Sequence, residues 1–235
     1  METTAMTSEE SERAEQLYQE QLSAQRVRLD RMFAKLMVIQ WAFAIGIAVI
    51  YSPYGWEGKQ SVIHAHVYLA LFMGAGLTLL PLVMVRQAAG SARTRQVIAI
   101  SQMLWSALLI HLTGGRIETH FHVFGSLAWL AFYLDWRILV TATVVVAGEH
   151  FLRGLFYPES VYGIVNPEWW RFLEHAFWVA FEDVILLIAC LNGLRSLREG
   201  AVREAQLEAL SESEQNKALA LELLLTEMKA RAGQA

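Results

Sequence analysis

Residues 32–51, MFAKLMVIQWAFAIGIAVIY, form the first long apolar run of the chain. A helix needs about 20 apolar residues to cross the hydrocarbon core of a bilayer, and this run supplies them with Lys35 as its one charge. Residues 1–31 are polar and rich in Glu, Gln and Arg. The apolar run therefore begins too late to be a removable secretion signal, and it indicates a retained membrane anchor.

Five further apolar stretches follow, and each is close to the length of a membrane span. They cover 62–85, 98–113, 117–133, 136–157 and 169–194. The whole chain of 235 residues is 55% hydrophobic and only 18% charged, which is too apolar for an ordinary soluble protein. These features predict an all-α fold, a bundle of six transmembrane helices whose third and fourth members form a hairpin.

The charged residues divide the chain into three parts. We expect a cytoplasmic polar segment at 1–31, a transmembrane sensor domain at 32–194 and a cytoplasmic signalling helix at 195–235. Arg and Lys concentrate on the flanks that would face inward, so both termini should be cytoplasmic in a bacterial inner membrane. The last part carries a weak heptad seam that favours a coiled coil and a homodimer, although a solvated single helix fits equally well. Its members are Leu207, Leu210, Leu221, Leu224 and Met228.

Charge and cysteine content exclude two classes of protein. The net charge is −4 and the basic residues lie mostly toward the ends of the chain, so no basic surface remains for nucleic acid. Cys190 is the sole cysteine, which rules out an internal disulfide or a thiolate cluster. Any bound metal must use other ligands.

Imidazoles and carboxylates recur at one depth, near the outer face of the predicted bundle. Ionisable groups in hydrocarbon cost several kcal/mol, roughly 2.5 upward, so each should face the bundle interior and a partner. We therefore predict a metal site at this depth. Arg153 lies four residues after Glu149, and an ion pair with Arg153 is the alternative to a metal-binding role for that carboxylate. The candidate ligands are His64, His66, His111, Glu118, His120, His122, Glu149, His150, Glu174, His175 and Glu182.

Imidazole and carboxylate ligands without thiolate suit iron, zinc or manganese, and copper where histidine dominates. The number of ligands is large enough for two non-haem iron ions, although the spacing is not that of carboxylate-bridged di-iron bundles. Haem is an alternative, since two histidines on facing helices can ligate it. In a His-x-His sequence the two rings lie on opposite faces of a helix. One histidine of each pair could therefore orient a metal-binding residue instead of binding the metal itself. A polar network without metal is the structural alternative.

The stretch from His111 to Gly163 resembles the membrane-embedded sensor region of certain bacterial histidine kinases and methyl-accepting chemotaxis receptors. It reads HLTGGRIETHFHVFGSLAWLAFYLDWRILVTATVVVAGEHFLRGLFYPESVYG, and the resemblance extends through FLEHAFWVAFED at 172–183. It covers roughly 31–194. The resemblance implies an input module whose last helix passes a signal to a kinase or chemotaxis output domain, either in a longer chain or in a partner.

Three functions are compatible with these features. The first is a sensor whose metal site meets a small diffusible or redox stimulus, and such an input module need not be an enzyme. The second is a membrane-bound metal-dependent oxidoreductase, although the predicted site faces outward. The third is a proton or metal transporter, whose polar path should continue to the inner face. The inner halves of the predicted helices are instead almost wholly apolar.

Overall fold

The structure, a computed structural model, describes residues 6–232, and this part of the chain is helical except for one hairpin and the connecting turns. One π-helical turn covers Leu69–Met73. Strands β1 (Tyr54–Glu57) and β2 (Gln60–Ile63) pair antiparallel. The prediction of a helical protein is confirmed. The helices are α1 (Ser8–Tyr51), α2 (Ala65–Tyr68), α3 (Gly74–Ala88), α4 (Ala92–Leu112), α5 (Ile117–Ala131), α6 (Trp136–Phe156), α7 (Glu159–Tyr162) and α8 (Arg171–Ala232).

Four described helical stretches are long and apolar enough to cross a membrane. They are α1, the stretch Ala65–Ala88, α6, and α8 over Arg171–Lys229. The other two predicted spans correspond to α4 and α5, and α5 has only 15 residues. The protein is a membrane protein, while the count of six spans stays a prediction.

The β-hairpin is the clearest departure from the predicted segments. We expected a span from residue 62, whereas Val62 pairs with Gly55 in the hairpin and helix α2 begins at Ala65. The turn contains Gly58 at φ 61°, a left-handed conformation that glycine adopts without strain. His64 ends the hairpin, and its ring accepts a hydrogen bond from the backbone N–H of His66.

Helix α4 forms the centre of the bundle. It packs against α3, α5, α6 and α7, and most of its residues are buried. Trp105 is fully buried, as are Phe33 of α1 and Tyr133 after α5. Two polar residues one turn apart on α4, Gln102 and Ser106, are also buried. A polar strip therefore runs through an otherwise apolar core.

A buried carboxylate fixes α1 to two turns of the bundle. Asp30 accepts a hydrogen bond from the backbone N–H of Gly90, at 2.6 Å, and another from the hydroxyl of Tyr133, at 2.7 Å. Asp135 pairs with Arg95, whose guanidinium also donates to the carbonyl of Gly90. These contacts hold the α3–α4 turn and the α5–α6 turn against the same part of α1.

The chain divides into two compact units, and the bundle described above belongs to the unit Ser23–Gly193. The other unit combines α1 up to Leu22 with α8 from Leu194 onward. In this unit Ala14 and Leu17 pack with Ala201 and Ala205.

Ion pairs join the two helical segments of the smaller unit. Arg13 bonds Glu208 at 2.7 Å, and Arg198 bonds Glu15 at 2.7 Å. The hydrogen bond from Arg13 lowers the pKa of Glu208, and hydrogen bonds from Gln19 and Arg198 lower the pKa of Glu15. Both carboxylates therefore remain charged at neutral pH. The five residues of the predicted heptad seam are exposed, so the coiled coil stays a prediction.

The turn between α4 and α5 fits tightly against the segment after α7. Gly114 and Gly115 have φ values of 70° and 74°. A Cβ on Gly115 would lie 2.4 Å from the backbone nitrogen of Gly163 and 2.8 Å from the carbonyl of Val161. A Cβ on Gly114 would meet no atom within 4 Å.

We expect Gly115→Ala to destabilise the protein by about 2–5 kcal/mol, because left-handed strain and a backbone clash add together. Gly114→Ala is the matched control, and it should cost about 1–2 kcal/mol, since strain alone applies there. Thermal unfolding of both variants in detergent measures the difference. Equal melting temperatures for the two variants would contradict this packing.

Candidate functional site

Three histidines from three helices form one cluster, which we call the histidine triad: His120 of α5, His150 of α6 and His175 of α8. The ring centroid of His120 lies 5.5 Å from that of His150 and 5.4 Å from that of His175. The remaining pair, His150 and His175, is separated by 6.0 Å. His120 and His150 are both only 5% exposed.

The triad rings share one hydrogen-bonding arrangement. The Nδ1 atom of each ring lies 2.9–3.1 Å from the backbone carbonyl oxygen of the residue four positions earlier in the chain. A carbonyl oxygen only accepts, so Nδ1 must carry the hydrogen and Nε2 keeps its lone pair. Nε2 of His120 is buried and finds no hydrogen-bond partner among the described residues. The cluster therefore presents imidazole nitrogens that are free to accept a proton or bind a metal.

A carboxylate and a guanidinium support the triad from α6. Glu149 contacts Nδ1 of His150, and its other oxygen accepts from Arg153 at 3.0 Å. Arg153 also donates to the carbonyl of Ala107 on α4 and to both oxygens of Ser160 in α7. Arg153 thus ties Glu149 to two neighbouring helices and holds its carboxylate against the ring of His150.

The three triad rings line one cavity of about 80 Å³. Its other walls are apolar apart from Thr143, and they include Val123, Phe124 and Val179. Thr143 donates a hydrogen bond to Asp183 of α8. Tyr162 lies beside the triad, with its ring centroid 5.4 Å from that of His175, and its buried hydroxyl has no described partner. A molecule of a few atoms fits this space.

A second group of histidines lies next to the β-hairpin. The ring centroid of His66 is 4.3 Å from that of His64 and 4.9 Å from that of His111. His111 also meets the ring of Tyr157 at 6.0 Å. The single layer predicted from the sequence therefore contains two separate groups of three rings.

His122 belongs to neither group. Its Nε2 accepts from the amide nitrogen of Gln40 at 2.7 Å, and its Nδ1 lies 2.8 Å from the hydroxyl of Ser106. Gln102 donates to Ser126 beside it. None of the four polar residues Gln40, Ser106, Gln102 and Ser126 was among the candidate ligands predicted from the sequence. The spacing of these residues in the sequence indicated such a network. Ser126 follows His122 by four residues, and Ser106 follows Gln102 by four residues, so each pair lies on one helix face.

Three predicted carboxylate ligands lie apart from the triad cavity. Glu118 is exposed and pairs with Arg116 at 3.2 Å rather than with His122. Glu174 is exposed on α8. Glu182 is partly buried, but it does not line the cavity, and one of its oxygens has no described partner. Across residues 6–232, no group of three or more His, Cys, Asp or Glu side chains could hold a metal ion as placed.

The shared arrangement predicts a common tautomer for the triad. His120, His150 and His175 should each carry hydrogen on Nδ1, because each Nδ1 faces a carbonyl oxygen. His64 should carry it on Nε2, since its Nδ1 accepts from a backbone N–H. Long-range ¹H–¹⁵N correlation spectra of histidine-labelled protein distinguish the two forms. An Nε2–H signal from any triad ring would refute the arrangement, with His64 as the internal contrast.

Comparison with known proteins identifies a similarity to a transducer. The chain is 34% identical over 130 residues to the transducer protein Htr8 of Halobacterium salinarum. The alignment covers 53% of this chain and 19% of the transducer, so the chain spans a minor part of that relative. No family model matches the chain, and no solved structure matches it. The similarity to a transducer supports a role in signal transduction for this membrane protein.

Proposed function

We propose that this chain is the membrane-embedded input module of a signal-transduction protein, and that the histidine triad binds one metal ion that responds to a small diffusible species. One observation carries the proposal: imidazoles from three helices line a single cavity, each with Nδ1 engaged, and those of His120 and His150 are buried while that of His175 is half-buried. The transducer similarity supports the signalling part.

Ring separations support an ion at the triad. Two imidazoles that bind one tetrahedral ion at about 2.0–2.1 Å place their ring centroids about 5.2 Å apart. The observed separations are 5.4, 5.5 and 6.0 Å. The centroid separations thus lie within about 1 Å of that geometry, and the rings must also turn their Nε2 atoms toward one point, because the described side chains hold no ion as placed. Side-chain rotations of this size fit rings that border a cavity.

The surroundings resemble those of known metal sites. A ligating histidine commonly donates its other ring N–H to a carbonyl or carboxylate, and each triad ring does so here. Three imidazoles leave an open position on a tetrahedral ion. The apolar cavity beside the rings offers that position to a small, weakly polar molecule such as dioxygen or nitric oxide.

The same contacts favour one ion over the two irons expected from the sequence. A di-iron centre uses carboxylates from several helices as ligands. Glu118 and Glu174 are exposed, while one oxygen of Glu149 already accepts from Arg153. Imidazole ligands suit iron, copper or zinc, and only the first two change oxidation state in a redox response. A haem would need far more room, since pockets for larger ligands measure about 300–1,000 Å³.

Transmission through α8 completes the proposal. His175 lies in the second turn of α8, which continues to Ala232 as one helix. A ligand that binds the metal changes the preferred distances from His175 to the other two rings. A shift of α8 follows if the two arrangements differ by a few kcal/mol in contact energy.

Elemental analysis of the purified chain in nanodiscs tests the metal site. We expect about one ion per chain, and His120→Ala, His150→Ala and His175→Ala should each remove it, because two imidazoles hold an ion weakly. Glu149→Gln should lower the affinity by about 10–100-fold, since a group that orients a ligand is lost. His64→Ala is the matched control and should keep the ion. A wild-type chain without a bound element, or equal loss in His64→Ala, refutes the site.

Hydrogen exchange tests transmission separately. Removal of the ion by a chelator should change the protection of backbone amides in 195–210, because α8 shifts when His175 is released. The same treatment of His175→Ala should leave that segment unchanged. Identical protection in the wild-type chain with and without metal would exclude this route while leaving the metal site intact.

A further inference from the structure

A second cavity, of about 190 Å³, lies between α1, α4 and α5. We call it the amide cavity, because Gln40 of α1 and Gln102 of α4 line it together with His122 and Ser126 of α5. It shares no lining residue with the triad cavity. Trp129 also lines it, as does Gly125, and both of these residues are exposed on the bundle surface.

In the amide cavity both glutamines donate hydrogen bonds through their amide nitrogens. Ser106 donates to the carbonyl of Gln102, so its oxygen accepts from Nδ1–H of His122. Nε2 of His122 therefore has the lone pair, and the amide nitrogen of Gln40 donates to it. The amide nitrogen of Gln102 donates to Ser126. Both glutamines thus use their nitrogen, and their carbonyl oxygens remain as acceptors.

Those two acceptors are buried and unpartnered. Gln40 is 6% exposed and Gln102 is 1% exposed, and the Oε1 atom of each finds no hydrogen-bond partner among the described residues. A buried acceptor left unpaired costs about 1–3 kcal/mol, and hydrocarbon around the helices supplies no donor. A ligand for this cavity must therefore carry hydrogen-bond donors.

The volume of the amide cavity and the position of its opening indicate the size and polarity of the ligand. An apolar cavity of about 150 Å³ accommodates benzene, so the amide cavity can accept a single six-membered ring. The indole of Trp129, which is 42% exposed, offers an aromatic surface at the opening. A Cβ on Gly125 would meet no atom within 4 Å, so the surface is open there. The opening lies on α5, beside the apolar stretch of α1 that is long enough to cross a membrane, so we expect a ligand to enter from the lipid.

From these features we infer that the amide cavity binds a lipid-soluble ring that carries hydroxyl donors, the chemistry of a hydroquinone. The hydroxyl groups donate to Oε1 of Gln40 and of Gln102, and the ring lies beside Trp129. The oxidised quinone has carbonyl groups only, so it offers no donor to the two amide oxygens. The cavity therefore favours the reduced form of such a compound.

Binding of tetramethylhydroquinone to the full chain in nanodiscs tests this inference, with empty nanodiscs as the blank. Saturable binding is expected under reducing conditions. Loss of the donors should weaken binding about tenfold or more, so the bis-methyl ether and tetramethylquinone should both bind more weakly. An absence of saturable binding overturns the inference, and so does an ether that binds as tightly as the hydroquinone.

A pair of glycine variants locates the ligand. Gly125→Leu fills the opening, and it should weaken binding of tetramethylhydroquinone by about tenfold or more. Gly76→Leu is the matched control, because Gly76 is another exposed helix glycine at which a Cβ would meet no atom within 4 Å, and it does not line the cavity. Circular dichroism should match for both variants. Equal affinity in Gly125→Leu and Gly76→Leu refutes the location.

Discussion

Hydrocarbon cannot hydrogen-bond, and this constraint organises the bundle Ser23–Gly193. A polar side chain on a membrane helix is therefore stabilised by a partner on another helix or in its own backbone. The triad histidines use backbone carbonyl groups four residues earlier in the chain, and His122 uses Gln40 and Ser106 on two other helices. The polar contacts therefore determine how the helices are oriented about their axes, while the apolar contacts around Trp105 provide the packing.

Arg153 shows how this constraint positions a site. Its guanidinium has a fixed set of donors, and they are distributed among Glu149, the carbonyl of Ala107, and Ser160. These contacts join α6, α4 and α7. The close approach of Gly115 to Gly163 holds the next turn against the same region. His150 and Tyr162 are consequently held near His175, although they come from separate elements.

The sequence predicted the helices, because length, apolar runs and flanking charge carry that information. It could not predict which imidazoles meet. His66 and His150 lie at similar predicted depths, yet they belong to different groups, since rotation about each helix axis depends on packing. Glu118 was expected among the metal ligands, but Arg116 lies two residues away at the surface and pairs with it there. The β-hairpin was missed because strand pairing in so short a segment leaves little periodic signal.

The His-x-His pair on α5 links the two cavities. Residues two positions apart on a helix lie on nearly opposite faces, as expected from the sequence. His120 accordingly meets α6 and α8, whereas His122 meets α1 and α4. Helix α5 therefore lies between the histidine triad and the amide cavity. A rotation of α5 that improves the contacts of one ring must alter those of the other, because both are attached to the same rigid helix. Under the two proposals, a ligand that shifts α5 at one cavity would change the affinity for a ligand at the other, and the reverse effect would have the same size, because coupling between two binding equilibria is reciprocal.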